Sequence, residues 1–358
     1  MSWQGVAGHD AVVEQFRRAL ARGRLASTFL FVGPPGIGKH TLAVKLAQAL
    51  LCQQHDPAEL APCGHCPNCV QVLAGTHPDL LQVRKPADKS SLPVDLFIGS
   101  RERRMQEGLC HDIRLKPFMG GRRVAIIDDA DYLNEESANC LLKTLEEPPP
   151  RSVMILLGSS ADRQLPTIRS RSQIIRFDPL PEELVADLLL SRNIVSDRAE
   201  AERLARHSEG SLSRAEELAD PELWKFRSEL LNRLTDPTLD GARGSKAMVA
   251  FVEAAGKDAA PRRARARQVI GFAIEFYRQL ARRLSGASTA TDAEMERATA
   301  AAVESWKGDA ESAAACAQRS MDALVHVERN ANQATLLECW LDDLARISSH
   351  GVPLAGIG

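Results

Sequence analysis

Two apolar runs, each ending in a polar tip and separated by one helix, constrain this chain most. Val124-Ala125-Ile126-Ile127 runs straight into Asp128, Asp129 and Asp131. Val153 to Leu157 ends in Gly158-Ser159-Ser160. A short apolar run closed by carboxylates predicts a buried parallel strand. Its acids would then sit at the carboxyl edge of the sheet, where open α/β sheets bind ligands. The intervening helix starts after Asn134, a suitable cap, and stops at Pro148-Pro149-Pro150. Arg169 and Arg171 follow the second run. The pattern points to a nucleotide phosphate site, or to part of one.

A second stretch supplies the loop such a site needs. Thr28 to Val32 is a strand of β-favouring residues, followed by Gly33-Pro34-Pro35-Gly36-Ile37-Gly38-Lys39-His40-Thr41. Gly33, Gly38 and Lys39 fit the phosphate-loop spacing, and Gly36 adds flexibility within it. Glycines let backbone N–H groups wrap a phosphate, and the helix that follows aims its positive end at it. Leu42, Ala43, Leu46, Ala47 and Leu50 mark one face of that helix. The residue after the lysine is usually Ser or Thr, whose hydroxyl holds Mg²⁺. Here it is His40, and Thr41 lies one step later, rotated by about 100° on the helix. The loop therefore speaks for ATP or ADP binding and against Mg²⁺-assisted hydrolysis.

At 358 residues, two or three domains are the default. A formal net charge of −2 argues against autonomous, electrostatically driven DNA binding, and 4% aromatic content argues against a base-stacking platform. No apolar run is long enough to span a membrane and no signal peptide is visible, so a cytoplasmic setting is expected. In that setting, Cys52, Cys63, Cys66 and Cys69 predict a structural four-thiolate zinc site. His65 and His77 read as surface residues. Cys140, Cys316 and Cys339 read as helix core. The basic stretch from Lys85 to Met119 reads as a solvated loop and helix face.

The phosphate loop, the four-cysteine insertion, Gly75-Thr76-His77-Pro78-Asp79, Ala138 to Pro149 (ANCLLKTLEEPP) and Leu165 to Arg171 (LPTIRSR) occur here in the order in which they recur in bacterial clamp-loader subunits. The chain resembles that AAA+ family, most closely its DNA polymerase III delta-prime group. The resemblance implies a RecA-like α/β AAA+ domain with a parallel sheet over 1–178, carrying the zinc insertion at 52–69. It further implies a small helical lid over 179–219 and an all-α collar over 220–349, before a tail at 350–358. It implies a hetero-pentamer with gamma/tau motor and delta subunits, acting on a sliding clamp and primed DNA. By the same resemblance, Arg171 would cross the interface as an arginine finger toward ATP held by the adjacent motor subunit. Asp128 and Asp129 would face this chain's own loop.

Several positions depart from the motor pattern. The motor's acidic strand usually ends Asp-Glu, whereas this one ends Asp128-Asp129, one methylene shorter. The stretch HPDLLQVRKPADKSSLPVD lacks the motor's acidic-Ala-Ala-Ser segment. The motor's lid arginine falls at Ser213, or is shifted to Arg214. Two readings compete with a delta-prime subunit: an autonomous ATPase or motor subunit, and a zinc-dependent nucleic-acid binder.

Overall fold

The computed structural model describes residues 3–87, 89–119, 121–236, 241–287, 292–329 and 331–350. The expected tail beyond residue 350 lies outside them. The chain divides into two compact units, Met1–Ala219 and Asp220–Gly358. Among the described residues no helix is long and apolar enough to cross a membrane.

The first unit opens with α1 (Asp10–Ala21), β1 (Thr28–Val32), α2 (Lys39–Leu51) and α3 (Pro67–Leu73). There follow β2 (Leu80–Val83), α4 (Asp95–Ile98), α5 (Leu109–Asp112), β3 (Arg123–Ile127) and α6 (Glu135–Glu146). The sheet is completed by β4 (Ser152–Gly158), α7 (Pro166–Arg169) and β5 (Gln173–Arg176). The strand order is β2-β3-β4-β1-β5, and every neighbouring pair is parallel. Alternate residues of each inner strand serve opposite faces, as the two-residue side-chain period requires. Phe29, Phe31, Val124, Ile126, Val153 and Ile155 pack with α1, α2 and Val72 of α3. Leu30, Val32, Ala125, Ile127, Met154 and Leu156 pack with α4, α5 and α6. Burial on both faces explains why β3 and β4 read as continuous apolar runs rather than alternating ones.

The stretch expected to be a solvated loop, Lys85 to Met119, does more than that. Leu92, Phe97, Ile98, Leu109, Cys110 and Ile113 are buried in the second of these clusters, while Arg101, Arg103 and Arg104 stay exposed. His77 is a second correction: it is buried, not on the surface. Its Nδ1 accepts from the Asp79 amide at 3.0 Å. The fully buried Asp79 carboxylate in turn accepts from the Phe118 and Met119 amides at 2.7 and 2.9 Å. Cys339 is a third, since it is exposed on its helix, while Cys316 is buried as expected.

Three helices complete the first unit: α8 (Glu182–Ser191), α9 (Arg198–His207) and α10 (Leu212–Glu217). The second unit is all-helical, with α11 (Pro221–Leu234), α12 (Gly241–Glu253), α13 (Ala259–Leu284), α14 (Ala293–Ser305), α15 (Ala310–Glu328) and α16 (Gln333–His350). Its charges are not all solvated. Arg227 of α11 is only 1% exposed and pairs with Asp292 at 2.6 Å and Glu294 at 2.5 Å. Its guanidinium lies 5.4 Å from the Trp224 ring and 5.5 Å from the Phe272 ring. Removing one member of a buried ion pair strands the charges of the other. Arg227→Ala is therefore expected to destabilise the helical unit by about 3 kcal/mol, read as a lower urea midpoint at unchanged slope. An unchanged midpoint would show that the pair contributes nothing.

Candidate functional site

Because the sheet is parallel, the carboxyl ends of β1, β3 and β4 lie on one edge, and a loop leaves each. The glycine-rich loop of residues 33–38 leaves β1. Gly33, Gly36 and Gly38 have φ of +156°, +74° and +102°, and Gly36 and Gly38 lie well inside the left-handed region open to glycine. Gly38 caps α2, whose first residue is Lys39. The Lys39 ammonium donates to the carbonyls of Gly33 and Pro34, both at 2.6 Å. Burial pulls its pKa from the ordinary 10.5 down to about 8, against the opposing fields of Asp131 and then Asp128. His40 and Thr41 are both exposed at the start of α2. His9 lies beneath the loop, buried, with Nε2 2.7 Å from the Ile37 carbonyl and its ring edge-on to Phe177.

The acids after β3 do not act alike. Asp129 adopts φ +57°. Its carboxylate takes the Lys85 amide at 3.3 Å and lies 3.6 Å from the Arg84 guanidinium. Burial raises its pKa and the neighbouring Asp128 adds to the rise. Asp128 and Asp129, both expected to face this chain's own loop, thus differ in their surroundings. Asp128 contributes to the field at Lys39, but Asp131 contributes more. Asp131 also accepts from the Ser159 amide at 2.9 Å and from Gln164 Nε2 at 2.5 Å. It therefore ties the tip of β4 beside the loop. Sequence reading missed Asp131 and Gln164 in this role; the third acid of DDAD was the available signal.

The start of α10 meets the loop directly. The Ser213 amide donates to the Gly36 carbonyl at 3.3 Å. A Cβ on Gly36 would fall 2.3 Å from Ser211 Oγ and 2.8 Å from Ser213 Cβ. Arg214 turns away and pairs with Glu209 at 3.0 Å. No cation from α10 therefore approaches Gly36; the small hydroxyl residues Ser211 and Ser213 do.

Arg171 stands just after α7, before the edge strand β5. Arg169, two residues earlier, is the last residue of α7. Both are paired. Arg169 meets Asp162 at 3.2 Å. Arg171 meets Glu146 with Nε at 3.0 Å and Nη2 at 2.6 Å, both on Oε1.

The four insertion cysteines converge. Their sulfur atoms all lie within 4.8 Å of one another, and Cys63 and Cys69 Sγ are 3.9 Å apart. Zinc–sulfur bonds of about 2.3 Å in a tetrahedron set the sulfurs about 3.8 Å apart, whereas a disulfide needs about 2.05 Å. All four are free thiols. The amides of Cys66 and Cys69 point at the sulfurs of Cys63 and Cys66, at 3.3 and 3.4 Å. Burial raises the Cys52 pKa, but backbone N–H groups of Cys63, Gln54 and His55 outweigh it and hold the thiol at about 6. The donor set and spacing fit a zinc ion.

A glycine-rich loop after an inner strand, in an all-parallel sheet of this order, defines a RecA-like AAA+ domain followed by a helical unit. Residues 8–181 match the family described as "DNA polymerase III, delta subunit". It is similar to the DNA polymerase III subunit delta' of Pseudomonas aeruginosa, 35% identical over 55% of this chain and 57% of the relative. The corresponding Escherichia coli subunit is 35% identical over 59% of this chain and 60% of its own length. The match thus spans about three fifths of these relatives. The tau subunit of Escherichia coli DNA polymerase III is 30% identical over 70% of this chain and 38% of that subunit. A gamma subunit-related protein of Thermotoga maritima has a solved structure with 16% identity, 94% and 99% coverage and a TM-score of 0.36.

The loop chemistry has a direct readout. Lys39 is protonated at neutral pH and loses its proton as pH rises through about 8. Its folded pKa lies below its unfolded value, so its contribution makes stability rise with pH between about 8 and 10.5. A lysine-labelled NMR titration is expected to show one resonance, lost in Lys39→Met, with a midpoint near 8. A midpoint near 10.5 would contradict the burial of this ammonium.

Proposed function

We propose that this chain is a delta-prime subunit of a bacterial clamp loader, helping to place a sliding clamp on primed DNA in a hetero-pentamer with gamma/tau and delta subunits. In this reading it supplies Arg171 in trans to ATP on the adjacent motor subunit. Its own loop, with Lys39 and the amides following Gly33, Gly36 and Gly38, takes ATP or ADP without efficient turnover. The observation that carries the reading is the engagement of Asp129 by Arg84 and the Lys85 amide, in a chain whose residues 8–181 match the delta-subunit family. The residue standing where a motor polarises water is held by its own chain. His40 offers no hydroxyl beside Lys39, and Ser213 rather than an arginine faces Gly36. A permanently charged, planar guanidinium at Arg171 suits charge developing on transferring phosphoryl oxygens.

The rival reading, a gamma/tau-type motor, draws on the 30% identity with tau. The two separate on turnover by the isolated chain, which a motor would show and which would vanish with Lys39→Ala. In the reconstituted loader, Arg171→Ala is expected to leave assembly intact and lower DNA-stimulated ATPase by about 10²–10³. Unchanged ATPase in an intact assembly would remove the proposed role.

Zinc held by Cys52, Cys63, Cys66 and Cys69 braces the insertion that leads into α3; its role is structural, since four thiolates fill a tetrahedron. Metal analysis of the purified chain is expected to give about one zinc per chain, lost in Cys66→Ser. A metal-free chain with an ordered insertion would contradict this assignment.

A further inference from the structure

Glu146 is the last residue of α6, in the turn where a carboxylate opposes the helix dipole. Three prolines follow and end the helix there. A negative charge at this end does little for the helix itself. What it meets is the Arg171 guanidinium, 25 residues later in the chain. One oxygen, Oε1, takes both Nε and Nη2. The remaining nitrogen, Nη1, donates to the Thr167 carbonyl at 3.2 Å and to Ser170 Oγ at 3.1 Å. All three nitrogens of one long, rotamer-rich side chain are therefore held, from α6 on one side and α7 on the other.

We propose that Glu146 is a positioning residue for Arg171. It fixes the plane and direction of the guanidinium along the Nε–Nη2 edge, so that the Nη1 side can be presented outward in place of its contacts to Thr167 and Ser170. The inference rests on the trans role proposed for Arg171 and names the in-chain group that orients it. The pair is half-exposed, with Arg171 33% and Glu146 50% accessible. Exposed pairs of this kind are weakly held, so a phosphate, with its higher charge, can share or displace the contact. An untethered arginine would have to be ordered at each turnover, whereas a tethered one reaches the transferring phosphoryl group already aligned.

The test uses the assembled loader and a double-mutant comparison. Glu146→Ala is expected to lower the maximal ATPase rate about tenfold with the KM for ATP unchanged. Glu146→Gln, whose amide oxygen can still accept both N–H groups, is expected to restore most of it. In an Arg171→Ala background, Glu146→Ala is expected to have no further effect. In the isolated chain, Glu146→Ala is expected to speed hydrogen exchange at the Arg171 Nε–H by NMR. Equal losses in both backgrounds would mean that Glu146 only supports the end of α6, and would overturn the positioning role. So would an unchanged rate in Glu146→Ala while Arg171→Ala is slow. If Arg171→Ala alone keeps full ATPase, the trans reading itself fails, and this inference with it.

Discussion

All five strands run the same way, and the rest of this protein's chemistry depends on that. A parallel sheet collects the carboxyl ends of β1, β3 and β4 along one edge, so loops distant in sequence meet there. Lys39, following β1, is drawn into that edge and partly stripped of water, which pulls its pKa to about 8. The acids after β3 answer it unequally, with Asp131 ahead of Asp128. Asp131 also fixes the Ser159 amide at the tip of β4. One carboxylate thus joins three strand ends, and the sheet's direction makes that possible.

In the proposed reading, the same edge separates binding from turnover. A phosphate needs amides and an ammonium, and the loop offers both. Hydrolysis also needs a metal-holding hydroxyl, a free carboxylate aimed at water and a cation from the lid. Here those positions carry His40, an Asp129 already engaged by Arg84 and the Lys85 amide, and a Ser213 packed against Gly36. Arg171 draws its partners from α6, α7 and Ser170 just beyond α7. Its tether to Glu146 gives the guanidinium a defined geometry that its sequence position alone does not supply.

The inner strands β1, β3 and β4 were legible because burial on both faces leaves an unbroken apolar run. The edge strands β2 and β5 were not. Each has four residues, and Gln82, Gln173 and Arg176 face solvent, so too little apolar pattern remains to register. The glycine-rich turn after β1 and the convergence of the four cysteines were legible because their residues lie close in sequence. The burial of His77 was hidden, because the Asp79 carboxylate that organises its surroundings takes its partners about 40 residues away. The Asp131–Gln164 and Arg171–Glu146 pairs were hidden for the same reason, spanning 33 and 25 residues. Side-chain pairs of that separation depend on the fold, and no spacing rule anticipates them.

The central claim is that this chain's own loop holds nucleotide without turning it over. ATP hydrolysis by the purified chain alone, compared with Lys39→Ala at the same protein concentration, tests it most directly. The account predicts equal, background rates for both. Robust hydrolysis that disappears with Lys39→Ala would contradict it and make this chain a motor in its own right.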